Sequence, residues 1–199
     1  METRDIDGFW GWFKKNSRRL RRIRSADDIA FTELEKLING ISSDIGIEIG
    51  GSEDSDTMSL ILTAYGVTSV FPLVDAIASR APKIPGWQIV ALKPPLLEEM
   101  EVDYEGTVVK VSDLWVLPGD TLPDGVIPIQ IAITAPPQPE GDENREAAAL
   151  LALESFLGER AFASLIQVVG FVRPPAQLPV NGFIQPGAFA ERLGLHRIQ

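Results

Sequence analysis

Apolar residues recur with a helical period over the first part of the chain. The apolar side chains that fall within one arc of about 100° on a helical projection are Phe9, Trp12, Phe13, Leu20 and Ile23. Lysines and arginines fill the opposite side. This spacing predicts an amphipathic helix from about Asp7 to Arg24.

A second helix is predicted over residues 26–39. Ser25 and Asp28 have the spacing of a capping box, and Asn39-Gly40 supplies a stop signal. The apolar residues expected to face the core are Ile29, Leu34, Leu37 and Ile38. The two helices form a leading helical pair within residues 1–40.

Alternation of apolar and polar residues then predicts a series of strands. The strands fall near 45–49, 57–66, 87–92, 100–105, 107–111, 114–117, 126–134 and 165–173, with helices at 69–79 and 142–157. Pro128 lies inside the strand 126–134 and indicates either an edge position or a bulge, because proline cannot donate a ladder hydrogen bond.

The order of these elements predicts an α+β fold. Two strand–helix–strand units, 57–92 and 126–173, can interleave through right-handed crossovers into one antiparallel sheet with helices on one face. We therefore expect a ferredoxin-like sheet preceded by two helices. The sequence predicts a single domain over 1–173 and a Pro/Gly-rich C-terminal tail over 174–199.

Composition limits the chemistry that the chain can perform. The 199 residues include 45% hydrophobic residues and no cysteine, which excludes disulfides, thiol catalysis and thiolate metal sites. The charged N-terminus lacks the apolar core of a signal peptide, and no apolar run is long enough to span a bilayer. We expect a cytoplasmic protein that has neither a cofactor nor a metal site.

Charge is distributed unevenly along the chain. Residues 1–24 contain eight Lys/Arg and three acids, whereas residues 25–199 contain ten Lys/Arg and 25 acids. The net charge is −10. Such an acidic chain should be repelled by nucleic acid, so nucleic acid is not an expected partner.

Several short motifs resemble a family of uncharacterised bacterial proteins, a domain of unknown function. They are the aromatic string Phe9-Trp10-Gly11-Trp12-Phe13, the stretch from Gly66 to Phe71-Pro72, the segment Ala81-Pro82-Lys83-Ile84-Pro85-Gly86-Trp87 leading into Ala91-Leu92-Lys93-Pro94, and Leu157-Gly158-Glu159. The similarity extends over about residues 1–170. It implies a bacterial protein and carries no assigned activity.

The basic amphipathic segment 9–24 is the strongest candidate for a binding site. Aromatic residues opposite a Lys/Arg face suit a partner groove or a membrane surface, and they equally suit packing on a core. The candidate binding residues are Trp10, Lys14, Lys15, Arg18, Arg19, Arg22 and Trp87. No residue is predicted to be catalytic.

Three groups of acidic residues supply further alternatives. Glu99, Glu101, Asp103 and Glu105 alternate along a strand and suit either a cation or a solvated face, and the loop Glu53-Asp54-Ser55-Asp56 lacks the glycine of a calcium loop. Glu154 and Glu159 flank the helix end at Gly158 and are either surface charges of a helix or a carboxylate pair of the kind that hydrolases use.

The sequence therefore favours a non-enzymatic protein-interaction or binding protein of the bacterial cytoplasm, with another protein as its partner. The alternatives are a carboxylate-based hydrolase and peripheral membrane attachment through the basic amphipathic helix 9–24. The oligomeric state is not predicted.

Overall fold

The chain forms two compact units, Met1–Lys93 (unit 1) and Pro94–Gln199 (unit 2). The computed structural model describes residues 3–23, 25, 27–51, 56–134, 142–180 and 182–196. The α+β class and the two leading helices are confirmed. The single domain expected over 1–173 stays a prediction.

Unit 1 contains three α-helices, a short 3-10 helix and one three-stranded sheet. The elements are α1 (Thr3–Leu20), α2 (Ile29–Ile41), β1 (Gly46–Gly50), β2 (Met58–Thr63), a 3-10 helix (Thr68–Val70), α3 (Phe71–Ser79) and β3 (Trp87–Ala91). The strand order is β1-β2-β3, with β1 antiparallel and β3 parallel to β2. Helix α3 makes the crossover between the parallel strands.

Local sequence explains where α2 begins. The Asp28 carboxylate accepts a hydrogen bond from Ala30 N at 2.7 Å and caps the helix. Ser25 Oγ instead accepts from Asp27 N in the preceding turn, at 3.2 Å. Because the helix starts at Ile29, that residue lies at its exposed end and is 69% exposed, whereas Leu34 and Ile38 are buried as expected.

Unit 2 contains a two-stranded hairpin, a three-stranded sheet and three α-helices. The elements are β4 (Glu101–Tyr104), β5 (Thr107–Lys110), a 3-10 helix (Val111–Asp113), β6 (Leu114–Pro118), β7 (Ile127–Ile133), α4 (Asp142–Leu157), α5 (Glu159–Leu165), β8 (Ile166–Val172) and α6 (Pro186–Arg192). Helix α4 contacts both strands of the β4-β5 hairpin. In the sheet of strand order β6-β7-β8, β6 is antiparallel and β8 parallel to β7.

The strands of the chain lie in three sheets, not in one ferredoxin-like antiparallel sheet. A ferredoxin-like sheet needs a strand inserted between the two parallel strands of each crossover. Here β2 pairs directly with β3, and β7 pairs directly with β8. Each unit thus contains the same strand pattern, an antiparallel pair followed by a helical crossover to a parallel third strand.

Pro128 lies in the central strand of its sheet and not at an edge. The β7-β8 register is regular at Pro128 and shifts one residue further on, between Ile129 and Gln130, where Val169 of β8 has no partner in the register. The edge alternative is therefore wrong, and the ladder is irregular close to the proline, where a missing N–H group is better tolerated. The carbonyl of Pro128 accepts a hydrogen bond from Gly119 N at 2.8 Å.

The C-terminal segment belongs to the core of unit 2, which corrects its prediction as a tail over 174–199. Phe183 and Phe189 are buried, the latter completely. Ile184 exchanges two backbone hydrogen bonds with Val116 of β6, at 2.8 and 2.9 Å. The two phenylalanines help to anchor this Pro/Gly-rich stretch, because each removes a large apolar area from water, and Ile184, Leu193 and Leu195 also pack against the core.

Candidate functional site

The apolar side of α1 is part of the core of unit 1. Its fully or almost fully buried residues are Ile6, Phe9, Trp10, Phe13 and Leu20. The indole Nε1 of Trp10 donates to the carbonyl of Ile77 at 2.9 Å. The rings of Phe13 and Trp87 meet edge to face, with centroids 4.9 Å apart. The helix is therefore fixed to α3 and β3 through its aromatic side chains.

The two tryptophans among the candidate binding residues, Trp10 and Trp87, are packed inside unit 1. Trp10 is 3% exposed and Trp87 is 9% exposed. Nε1 of Trp87 donates to the carbonyl of Ser17 at 3.3 Å. Both side chains hold α1 in place, and Trp87 also lines an open groove of about 550 Å³ beside Pro82 and Pro85.

The opposite side of α1 carries cations that face solvent. Lys14, Lys15 and Arg18 are exposed and lie within a 100° arc of the helix, and Arg22 is exposed in the turn that follows. We call these four residues the basic face. None of the four forms an ion pair with another residue in the described part of the chain.

Two neighbouring arginines are used within unit 1. Arg19 Nη1 lies 2.9 Å from Glu33 Oε2, in an ion pair that joins α1 to α2. Arg21 Nη1 donates to the carbonyls of Asp56 and Gly86, at 3.0 and 2.8 Å. Arg19 is thus partly neutralised. Nothing in the helical period of the sequence distinguishes Arg21 from the neighbouring arginines, so its contacts appear only in the folded unit.

Gly86 makes the Arg21 contact feasible. Its φ of +75° lies in the left-handed region, and a Cβ atom there would collide with the Arg21 guanidinium. The glycine of the segment that runs from Ala81 to Trp87 therefore serves to place α1 against the start of β3.

No family model matches this chain. No curated protein and no solved structure matches it either. The likeness of the aromatic and Gly-Trp motifs to an uncharacterised bacterial family stays a prediction.

The acidic residues at the β4-β5 hairpin do not assemble into one cluster. Glu99 Oε1 accepts from Ser112 N and Oγ, at 3.2 and 2.8 Å, and Asp103 Oδ1 accepts from Gly106 N at 2.9 Å. Glu105 leaves the strand with a φ of +49°. Among the residues that the structure describes, no group of three or more potential ligands could hold a metal ion. Most of the loop 53–56 lies outside the described residues.

The two glutamates of the predicted carboxylate pair, Glu154 and Glu159, differ in their burial. Glu159 is completely buried in the first turn of α5, whereas Glu154 is half-buried near the end of α4. Both residues interact with other groups of the protein.

Within the described ranges, no helix is long and apolar enough to cross a membrane.

A cavity of about 300 Å³ opens in unit 2 where β7 and β8 end. It is lined by Ile133, Arg145, Glu146, Phe171, Val172, Arg173 and Pro174. Arg145 Nη2 donates to the carbonyl of Ile133 at 2.6 Å, so the guanidinium is held against the end of β7. No sequence pattern marks these residues, because only the crossover brings the ends of the two strands together.

Proposed function

We propose that the protein is a non-enzymatic binding protein of the bacterial cytoplasm, and that its basic face binds an acidic surface of another protein. One observation carries this proposal. Lys14, Lys15, Arg18 and Arg22 are exposed on a helix whose opposite side is locked into a core. The cations are therefore displayed on a rigid element, and binding need not order the backbone first.

The electrostatics of the basic face also favour a partner. Lys14 and Arg18 are a like-charge pair at i,i+4 spacing, which destabilises an isolated helix by about 0.2–0.5 kcal/mol. An acidic surface would relieve this repulsion and steer association over distances near the Debye length. Since Arg19 already pairs with Glu33, its contribution to binding should be smaller than those of the four face residues.

The distribution of charge favours a protein partner over nucleic acid. Unit 1 contains twelve Lys/Arg and thirteen Asp/Glu, a net charge of −1, whereas unit 2 contains six and fifteen, a net charge of −9. A polyphosphate backbone would be attracted by one short helix and repelled by the net charge of the chain. A discrete acidic patch on a folded protein needs only the positive charges of the basic face for its binding.

Peripheral membrane attachment through residues 9–24 is opposed by the packing of α1. Interfacial helices bury their apolar side among the lipids. Phe9, Trp10 and Phe13 are instead at most 3% exposed within the protein. Membrane insertion would require this aromatic cluster to leave the core of unit 1.

Fluorescence anisotropy with a labelled poly-glutamate peptide tests the proposal. The variant Lys14→Gln/Lys15→Gln/Arg18→Gln/Arg22→Gln should weaken binding about tenfold or more at low salt. The matched control Lys36→Gln/Lys83→Gln/Lys110→Gln/Arg192→Gln removes the same number of exposed charges elsewhere and should bind the peptide nearly as well as the unmodified chain.

Two results would contradict the proposal. One is an equal loss of affinity in both quadruple variants, which would show that net charge alone drives binding. The other is tighter, face-dependent binding to vesicles of anionic lipid or to duplex DNA than to the acidic peptide. Tighter binding to the vesicles would indicate a membrane surface as the ligand of the basic face, and tighter binding to DNA would indicate nucleic acid.

A further inference from the structure

We propose that the cavity at the ends of β7 and β8 binds a small organic carboxylate with an apolar body. Its position is the first argument. β7 and β8 are parallel neighbours joined by a helical crossover, and the cavity includes Ile133 at the end of one and Val172 at the end of the other. In open sheets with such crossovers, ligands bind outside the carboxyl ends of the parallel strands.

Two arginines give the cavity its preference for an anion. Arg145 comes from the first turns of α4, and Arg173 directly follows β8. Because the guanidinium of Arg145 donates to the carbonyl of Ile133, its position is set before a ligand arrives. A planar guanidinium offers donors in a fork that matches a carboxylate, and the lining of this cavity contains two arginines and one glutamate.

The remaining lining residues define the rest of the ligand. Phe171 and the neighbouring Ile133 and Val172 provide apolar surface, which suits a hydrocarbon or aromatic body. Glu146 also lines the cavity and can accept a hydrogen bond from a ligand hydroxyl or amine, while it disfavours a multiply charged anion. A volume of about 300 Å³ limits the ligand to a small molecule.

This binding site shares no residue with the basic face. The cavity lies entirely in unit 2, whereas the basic face lies in unit 1. Loss of either activity would therefore leave the other proposal intact. The two can be tested with the same full-length protein.

The test titrates three probes into the full-length ¹⁵N-labelled protein and follows amide and arginine side-chain resonances. The probes are 3-phenylpropionate, L-phenylalanine and phenethylamine, which respectively carry the carboxylate alone, the carboxylate and the amine, and the amine alone. We expect both carboxylates to shift resonances of residues that line the cavity, at concentrations of about 10 mM or below. Phenethylamine should leave them unchanged.

Variants separate a cavity site from general charge. Arg173 is exposed, so Arg173→Gln should preserve the fold and weaken 3-phenylpropionate binding about tenfold. Arg192→Gln, an exposed arginine of α6 in the same unit, should leave the affinity unchanged. If Glu146 accepts from the ligand amine, Glu146→Gln should lower the affinity for L-phenylalanine more than that for 3-phenylpropionate.

Three outcomes would overturn the proposal. They are the absence of cavity shifts with both carboxylates, equal binding of phenethylamine, and unchanged affinity in Arg173→Gln. Inorganic phosphate provides a fourth test: if it binds as tightly as 3-phenylpropionate, the apolar lining contributes nothing and the assigned ligand class is wrong.

Discussion

The indole nitrogen of Trp10 on α1 donates a hydrogen bond to the backbone carbonyl of Ile77 on α3, at a distance of 2.9 Å. The carbonyl is near the end of α3, where helical acceptors lack intrahelical partners. It also accepts from Arg80 N at 3.2 Å. The first helix of the chain is thus tied to the end of the crossover helix by a buried polar contact.

Replacing Trp10 by phenylalanine should lower the free energy of unfolding by about 2 kcal/mol. The change removes a buried hydrogen bond and leaves a small void in place of the indole. Urea denaturation followed by circular dichroism measures the loss. Trp12→Phe is the matched control, because Trp12 is only half-buried on the same helix and should lose less than half as much. Equal losses of unfolding free energy in the two variants would mean that the hydrogen bond from Trp10 to Ile77 adds nothing measurable to the stability.

Neutralising the basic face should not harm the fold. In the quadruple glutamine variant at positions 14, 15, 18 and 22, the repulsion between Lys14 and Arg18 disappears. The free energy of unfolding should rise by about 0.5 kcal/mol at low salt, and the gain should vanish in high salt because ions screen exposed charges. Denaturation at the two salt concentrations is the measurement. A loss above about 1 kcal/mol would show that these side chains support the core.

Gly158 should tolerate no side chain. Its φ is +82°, and a Cβ atom would lie 2.7 Å from the backbone nitrogen of Pro95. Gly158→Ala should therefore lower the free energy of unfolding by about 2 kcal/mol or more. Gly11→Ala is the contrasting control, since nothing beyond its chain neighbours and the backbone of its own helix lies within 4 Å of its Cβ position. This second change should stabilise unit 1 by about 0.5–1 kcal/mol.

The C-terminal segment should be required for the stability of unit 2. Phe189 is completely buried on α6, so Phe189→Ala should lower the free energy of unfolding by about 3–5 kcal/mol. Arg192→Ala changes an exposed residue of the same helix and should stay within about 0.5 kcal/mol of the unmodified chain. Limited proteolysis at positions after 174 provides an independent measurement. Similar behaviour of the two variants would support a dispensable tail.

Strong local periodicity is what made much of the secondary structure predictable. Helix α4 occupies the residues expected from its acidic start and its glycine stop, Asp142–Leu157. The exposed cations of α1 followed from the helical period in the same way. Trp10 lies outside the predicted apolar arc yet is buried, because Ile77 and the other groups packed on α1 cover a wider part of its surface than the arc.

The remaining features depend on contacts between distant parts of the chain. The local sequence does not show whether β2 pairs directly with β3 or whether another strand lies between them. The prediction of a single ferredoxin-like sheet was wrong for this reason, because β2 and β3 are direct neighbours. The choice between an edge and a bulge at Pro128 likewise depends on whether β8 pairs with that side of β7. The cavity formed by Arg145 and Arg173 also exists only once the crossover has closed.

The order of the two units along the chain has a consequence for biosynthesis. Every element of unit 1 precedes Pro94, including the sheet and the helix that covers it with aromatic side chains. Domains commonly fold in order as they leave the ribosome. Unit 1, with a net charge of −1, can therefore complete its core and display its lysines and arginines while the strongly acidic remainder of the chain is still being translated.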